Sequence, residues 1–380
     1  MIRLTIPSIE EDDLQAVREV LASGHLVQGA HVAAFERVVA DYVGMREAVA
    51  VSNGTAALHV ALLALGVGPG DIVLTSAYSF PATGNAIELC GAKPIFVDIE
   101  PETFNIDPSR LEAALETLMG DKATASKVKA ILPVHIFGQM ADMRPIVKLA
   151  ARYGIPLIED AACALGATLD GRQAGSWSEL GCFSFHPRKA ITTGEGGMVV
   201  TNNEALAKRL RELRNHGMDP KASSPVFIGA GFNYRLTDFQ GALGVSQMGK
   251  LDRVISARRR LSSVYERLLR DSGFRPPHTG SGSHPVFQSY VVLLSPEAAS
   301  VRAAIIGELK AVGIETNLGT WHMPMTVFFK ERYGFRPGDF PVTDDVFART
   351  LTLPLHEHLS EHDQAEVVRQ LRATAARLAS

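Results

Sequence analysis

A chain of 380 residues is long for one hydrophobic core, and 46% hydrophobic with 21% charged residues is the balance of an ordinary soluble globular enzyme. A net charge of −3 gives no basic footprint, which argues against nucleic acid as the main partner. Cys90, Cys163 and Cys182 are odd in number and far apart, so free thiols in a reducing cytoplasm fit better than a disulfide framework.

The N-terminus, MIRLTIPSIEEDD, turns acidic at once and lacks the apolar region of a signal peptide. Ser8 followed by Glu11 predicts a capping box opening a helix that Gly24 stops, and a second helix runs near His31 to Tyr42. Short apolar strands then alternate with helical patterns: EAVAVS, DIVLTS, KPIFVD, KAILPV, IPLIED, CFSF and GMVVT. Continuous apolar strands separated by amphipathic helices predict a mainly parallel, seven-stranded α/β sheet covered on both faces. The longest apolar stretch, AALHVALLALGVG, is shorter than the ~18 residues of a membrane span. From about Asp238 a long helical pattern runs through Leu269, and an alternating strand, QSYVVLLS, and further helices follow. This predicts a large domain over 1–249 and a smaller C-terminal α+β domain over 250–380. Arg258 to Arg260, inside that helix, read as a solvated face.

In open α/β sheets ligands gather at the carboxyl ends of the strands. IPLIED ends there in Glu159 and Asp160, followed by small residues that let a flat ligand approach. A buried aspartate in that place needs a cationic partner. VSNGTAAL has the form strand, turn, helix start, so Asn53, Gly54 and Thr55 offer free backbone N–H groups to a phosphate or form an ordinary cap. No dinucleotide or nucleoside-triphosphate glycine motif is present. Phe80 follows another strand end, as a core aromatic or as a ring that stacks on a planar ligand. Lys189, in SFHPRKAITTGEGG, lies among phenylalanines and glycines, either as a surface lysine whose stem packs on the strand or as one that loses its proton and attacks an aldehyde. Phosphate cradle, stacking ring, acid and amine together describe a pyridoxal phosphate site. Two other clusters read as bland. His358, Glu361 and His362 match an inverted zinc-protease spacing, but Ser360 with Asp363 reads as a helix cap that leaves His358 outside, so no metal is expected. Arg214 and His216 lie at a helix C-terminus, which favours cations.

Over nearly its whole length the chain resembles the DegT/DnrJ/StrS family of sugar aminotransferases, pyridoxal-phosphate enzymes of fold type I. The resemblance is carried by SNGTAALHVALLALGVGPGD, GAKPIFVDI, PVHIFGQMADM, IEDAA, FSFHPRKAITTGEGGMVVTN, GFNYRLTDFQGALG and LTLPL. It implies that Lys189 binds the cofactor aldehyde and that Asp160 pairs with the pyridine nitrogen. It also implies that Phe80 stacks on the ring and that Gly54, Thr55 and Ser184 hold the phosphate. Asn233 of GFNYR would reach the phosphate from a neighbouring subunit, making a homodimer with shared active sites. Arg235 would hold an anionic group such as the donor carboxylate, and His322 would lie near the substrate. Cys163 stands where the family usually has Gln, His or Glu, beside the cofactor's phenolic oxygen. The implied reaction moves an amino group from glutamate or glutamine to a nucleotide-linked keto-sugar, first a 4-keto-6-deoxy sugar. A 3-keto sugar or a cyclitol ketone is the alternative acceptor, and a dehydratase or a non-catalytic cofactor-binding regulator are the rivals. Dehydratase relatives carry histidine at the lysine position, so Lys189 counts against the first of these.

Overall fold

A computed structural model describes residues 1–379. Seven strands form the central sheet: β1 (Glu47–Val51), β2 (Ile72–Ser76), β3 (Lys93–Val97), β4 (Val128–Leu132), β5 (Ile158–Asp160), β6 (Leu180–Ser184) and β7 (Gly197–Thr201). Their order is β1-β7-β6-β5-β4-β2-β3, with parallel bridges Ile131↔Leu157 and Val134↔Asp160 joining β4 to β5. Only β7 runs antiparallel to its neighbours.

Alternation along each strand separates two cores. Ala48, Ala50, Leu74, Ile131 and Phe183 face one of them, and Val49, Val51, Val73, Ala130 and Cys182 face the other. Helices cover both faces because neither is polar enough to meet water. The first core takes α2 (Ala30–Val43) through Val32, Phe35 and Val39, and α1 (Glu11–Ser23) precedes it along the chain. The second takes α3 (Gly54–Ala64), α4 (Ala82–Leu89) and α7 (Glu204–Arg214), with α5 (Pro108–Gly120) and α6 (Met143–Tyr153) on the first face. Among the described residues, no helix is long and apolar enough to cross a membrane.

Two local expectations are corrected. The capping box of α1 is formed by Glu10 and Asp13, whose side chain accepts from the Glu10 N–H at 2.9 Å. Ser8 lies outside it and turns to Glu357 instead. The long helix from Asp238 is two helices, α8 (Asp238–Met248) and α9 (Leu251–Leu268), with the break at Gly249–Lys250. Lys250 is buried there and binds Asp13 at 2.6 Å and Asp12 at 2.5 Å. The acidic run of α1 therefore pins the junction.

Beyond α9, β8 (Tyr290–Leu293), β9 (Asn317–Leu318) and β10 (Thr350–Leu353) form an antiparallel sheet with β10 in the middle. With α10 (Arg302–Ala311) and α12 (Glu361–Leu378) it encloses a third core, while α11 (Pro341–Arg349) puts Val346 into a smaller cluster with Tyr78 and Leu293. Helix α9 serves two cores: Leu251 and Ile255 face the first, while Leu261 and Tyr265 face the third.

Candidate active site

The carboxyl ends of β2, β4, β5 and β6 lie on one edge of the sheet, and the antiparallel β7 starts there. Asn53 caps α3, its side-chain oxygen accepting from the Ala56 N–H at 2.8 Å. That leaves the N–H groups of Gly54 and Thr55 at the open end of the helix, where an anion is favoured. A Cβ on Gly54 would lie 2.8 Å from Cβ of Ser184, so glycine alone lets the helix end meet the end of β6. A Cβ on Gly197 would stand 2.2 Å from the Asn53 carbonyl oxygen, so the glycine-rich turn is needed for the same approach. The result is a cradle of backbone N–H groups with the hydroxyls of Thr55 and Ser184 at its rim.

Asp160, at the end of β5, is 5% exposed. Its Oδ2 accepts from Thr83 Oγ1 at 2.7 Å and its Oδ1 from the Ala162 N–H at 3.2 Å. Thr83 is itself held by Ser79 at 2.9 Å. Burial pushes the Asp160 carboxyl above the usual carboxylate range, opposed by the Thr83 and Ala162 hydrogen bonds and by the charges of Lys189 and His135. Neighbouring Glu159 points to the opposite face and is fully used within the scaffold. It accepts from the Gly175 and Trp177 N–H groups, from Ser178 Oγ and from His135 Nε2 at 2.7–2.8 Å. His135 Nδ1 accepts from the Ala141 N–H at 3.2 Å, so the ring proton sits on Nε2 and is donated to Glu159. Thr83 and His135 were missed in the sequence because neither lies in a glycine-marked turn.

Lys189 follows β6 in a turn closed by its own N–H donating to the His186 carbonyl at 2.8 Å. Phe183 and Phe185 face the first core, Phe185 against Phe35 at 4.8 Å, and so do not enclose the amine. The half-buried Nζ instead donates to Sγ of Cys163 at 3.0 Å. Behind the turn lies Arg258, and here the expectation of a solvated helix face is overturned. Arg258 is 2% exposed and donates to the carbonyls of Phe287 (3.3 Å), Gln288 (3.0 Å) and Lys189 (3.3 Å). The signal was present in the helix phase, since Leu251, Val254, Ile255, Arg258, Leu261 and Tyr265 fall on one buried stripe. Of the three arginines only Arg260 is exposed.

Other predicted residues stand around this centre. Phe80 is 64% exposed, its ring open to a planar partner. GFNYR lies beside the cradle, with Ser52 N–H donating to the Tyr234 carbonyl at 2.8 Å. Asn233 is exposed and Arg235 donates to Asn215 at 2.7 Å. His322 is buried: its Nε2 lies 3.0 Å from Asp344 Oδ1 and its ring meets Phe340 and Phe347 edge-on. Its neighbour Trp321, 42% exposed, pairs across the strand with Ser79. Arg214 has a structural task, binding Glu36 and, at 2.7 Å, the Ala50 carbonyl. Ser360 caps α12 with Asp363, and His358 lies outside the helix, 3.1 Å from Ser8 Oγ.

Pyridoxal phosphate suits the residues present. The cradle matches its phosphate, and the buried Asp160, bonded only to neutral donors, matches a protonated ring nitrogen. The amine of Lys189 matches its aldehyde. The chain is 38% identical to GDP-perosamine synthase of Caulobacter vibrioides over 373 residues, 97% of each chain. It is 33% identical to UDP-2-acetamido-2-deoxy-3-oxo-D-glucuronate aminotransferase of Pseudomonas aeruginosa over 344 residues, 90% of each. Spr1654 of Streptococcus pneumoniae, solved in a PLP form, superposes with a TM-score of 0.92 at 26% identity, covering 99% of both chains. The profile of one family spans residues 7–372. The chain belongs to the DegT/DnrJ/EryC1/StrS aminotransferase family and is a pyridoxal-phosphate-dependent aminotransferase.

Proposed function

We propose that the enzyme moves an amino group from glutamate or glutamine to a nucleotide-linked keto-sugar, a 4-keto-6-deoxy sugar first, for amino-sugar biosynthesis in the cytoplasm. The observation that carries the chemistry is the buried Asp160, bonded to neutral donors only, on the same sheet edge as the cradle and the Lys189 amine. The sugar class is favoured by the 38% identity to a GDP-perosamine synthase. A 3-keto acceptor is the second reading, because a relative of similar identity is named for a 3-oxo sugar.

Bound pyridoxal phosphate supplies an aldehyde that exchanges amines and a ring that accepts the electron pair released at the donor's α-carbon. Asp160 holds a proton on the pyridine nitrogen, and Thr83 and Ala162 fix the direction of its carboxylate. Gly54, Thr55 and Ser184 hold the phosphate, joined by Asn233 of the second copy in a homodimer. Phe80 covers one face of the ring. Lys189 Nζ would take the proton from the donor's α-carbon and hold it for return, as base and then acid. Cys163 Sγ orients that amine. Arg235 offers a cation to an anionic group of a substrate.

The test is an absorption spectrum of the purified protein with pyridoxal phosphate, before and after glutamate or glutamine. A visible cofactor band that gives way to the amine form supports amino transfer, and a band that neither glutamate nor glutamine changes sinks it. A panel of nucleotide-linked 4-keto and 3-keto sugars, scored for return of the band, then decides between the acceptors.

A further inference from the structure

Next to the lysine turn lies a small, open cleft that the proposed roles leave unused. Thr5, Arg188, Gln288, Ser289, Asn317 and Thr352 supply its polar lining, and no aspartate or glutamate lines it. Arg188 is exposed and has only its backbone engaged. Its N–H donates to His186 Nδ1 at 3.2 Å and its carbonyl accepts from Gln288 Nε2 at 3.0 Å. Among the described residues no ion pair uses its guanidinium. Two other arginines near the site are occupied: Arg258 by three carbonyls and Arg214 by Glu36. Asn317 adds a donor, because its Oδ1 accepts from the Leu318 N–H at 2.9 Å and leaves its NH2 free.

The cleft and the reacting amine share a wall. A Cβ on Gly138 would lie 2.8 Å from the Gln288 nitrogen and 3.1 Å from the Cys163 carbonyl oxygen. Gln288 therefore stands one glycine's thickness from the residue that holds Lys189 Nζ. Arg258 fixes both sides, binding the Gln288 and Lys189 carbonyls from beneath. A cation free of carboxylates, in a polar cleft beside an amine that must meet an amino acid, is built for an anion. A planar guanidinium matches a carboxylate with two parallel hydrogen bonds.

Resting on the proposed amino transfer, we infer that this cleft binds a carboxylate of the amino-acid donor, with Arg188 as its ion partner and Asn317 as a neutral donor. Glutamate carries two carboxylates, and the cleft takes one of them. The binding orients the α-carbon hydrogen toward Lys189.

The test measures binding and conversion separately on the cofactor-loaded enzyme. Calorimetric titration with glutarate, which has no amine to transfer, reads the cleft alone. Arg188→Ala is expected to weaken glutarate about tenfold or more, the range of a charge-assisted pair, with Arg188→Lys in between and Arg260→Ala unchanged. Spectral titration then compares glutamate, glutamine (side-chain amide) and isoglutamine (α-amide). The donor whose half-conversion concentration Arg188→Ala no longer shifts has lost the carboxylate that the cleft holds. Equal glutarate affinity in wild type and Arg188→Ala overturns the inference. Glutarate binding that depends on Arg188, in an enzyme that no donor converts, upholds the cleft and sinks the amino-transfer reading instead.

Discussion

The guanidinium of Arg258 donates to the carbonyl oxygen of Lys189 at 3.3 Å, so a buried cation grips the main chain of the residue that carries the amine. Its other two acceptors are carbonyls as well, on Phe287 and Gln288, and burial pulls the group down to about 10 against the opposing pull of Glu357 and Cys163. The contact joins the lysine turn to the segment leading into β8. Replacing Arg258 by Met frees three buried carbonyls at ~1–3 kcal/mol for each that stays dry. Turnover with saturating donor is expected to fall by tenfold or more, whereas Arg259→Met, whose contacts lie at Pro285 and His284, stays within about twofold. Equal effects of the two substitutions on kcat would show that Arg258 merely packs the helix.

Lys189→Ala removes the proposed base and the point of covalent attachment. Amino transfer is expected to drop by about 10²–10⁴-fold or more. Borohydride treatment of the loaded wild type should add the mass of reduced cofactor to the peptide containing Lys189, and none in the variant. Full turnover by Lys189→Ala would displace the assignment.

Asp160→Asn should have opposite effects with and without cofactor. In the free protein the carboxyl is raised by burial, so the folded form binds more protons than the unfolded chain just above pH 4. Stability contributed by the protonated form is complete below the unfolded value and lost as pH rises through the folded one. At neutral pH the asparagine therefore removes a penalty, and the apoprotein should melt about 1–2 °C higher. The loaded protein should instead hold its cofactor more weakly, as read by spectral titration, because the ring nitrogen loses its anion. A variant that binds pyridoxal phosphate as tightly as wild type would exclude the pairing.

Gly54→Ala tests the cradle by sterics alone. The new Cβ would lie 2.8 Å from Cβ of Ser184, too close for an unshifted contact. Affinity for pyridoxal phosphate is expected to fall at least about tenfold by equilibrium dialysis, although alanine favours the helix by ~1 kcal/mol. Ser184→Gly in the same chain relieves the contact, so the double variant should recover part of the loss. A double variant no better than the single one would put the fault elsewhere.

Burial lowers His59, His186, His322 and His356 below the ordinary histidine value. His356 has both ring nitrogens buried, and the charges of His358 and Arg258 add to that burial against a backbone hydrogen bond at Arg3. Below about pH 6.5 the unfolded chain binds the protons that these rings refuse, so stability falls as pH falls through that window. Each ring contributes up to ~1.4 kcal/mol per pH unit of slope. Denaturant melts between pH 5 and 7 should show a shallower slope for His356→Phe than for wild type. An unaltered slope would mean that the ring is protonated in the fold.

The strands were legible because their apolar runs are continuous, and the site was legible because its turns carry glycine where a Cβ would collide. Gly54 and Gly197 announce a close approach whatever the partner is. Arg258 was misread from its composition as one of three charges, although its phase along α9 placed it on the buried stripe. Cys163 could be seen as an unusual residue, but its bond to Lys189 depends on how β5 and β6 lie together. His322 is buried while its strand neighbour Trp321 is 42% exposed, because successive residues of a strand face opposite sides.

Asp98, just past the end of β3, receives the N–H groups of Val342 and Thr343 and the Thr343 hydroxyl. It thereby completes the first turn of α11 from 245 residues away along the chain. A fragment ending near residue 249 would lack these three donors to Asp98, and α11 alone would lack its cap. The chain therefore has no clean place to be cut, and the C-terminal third must be in position before the sheet's own edge is satisfied.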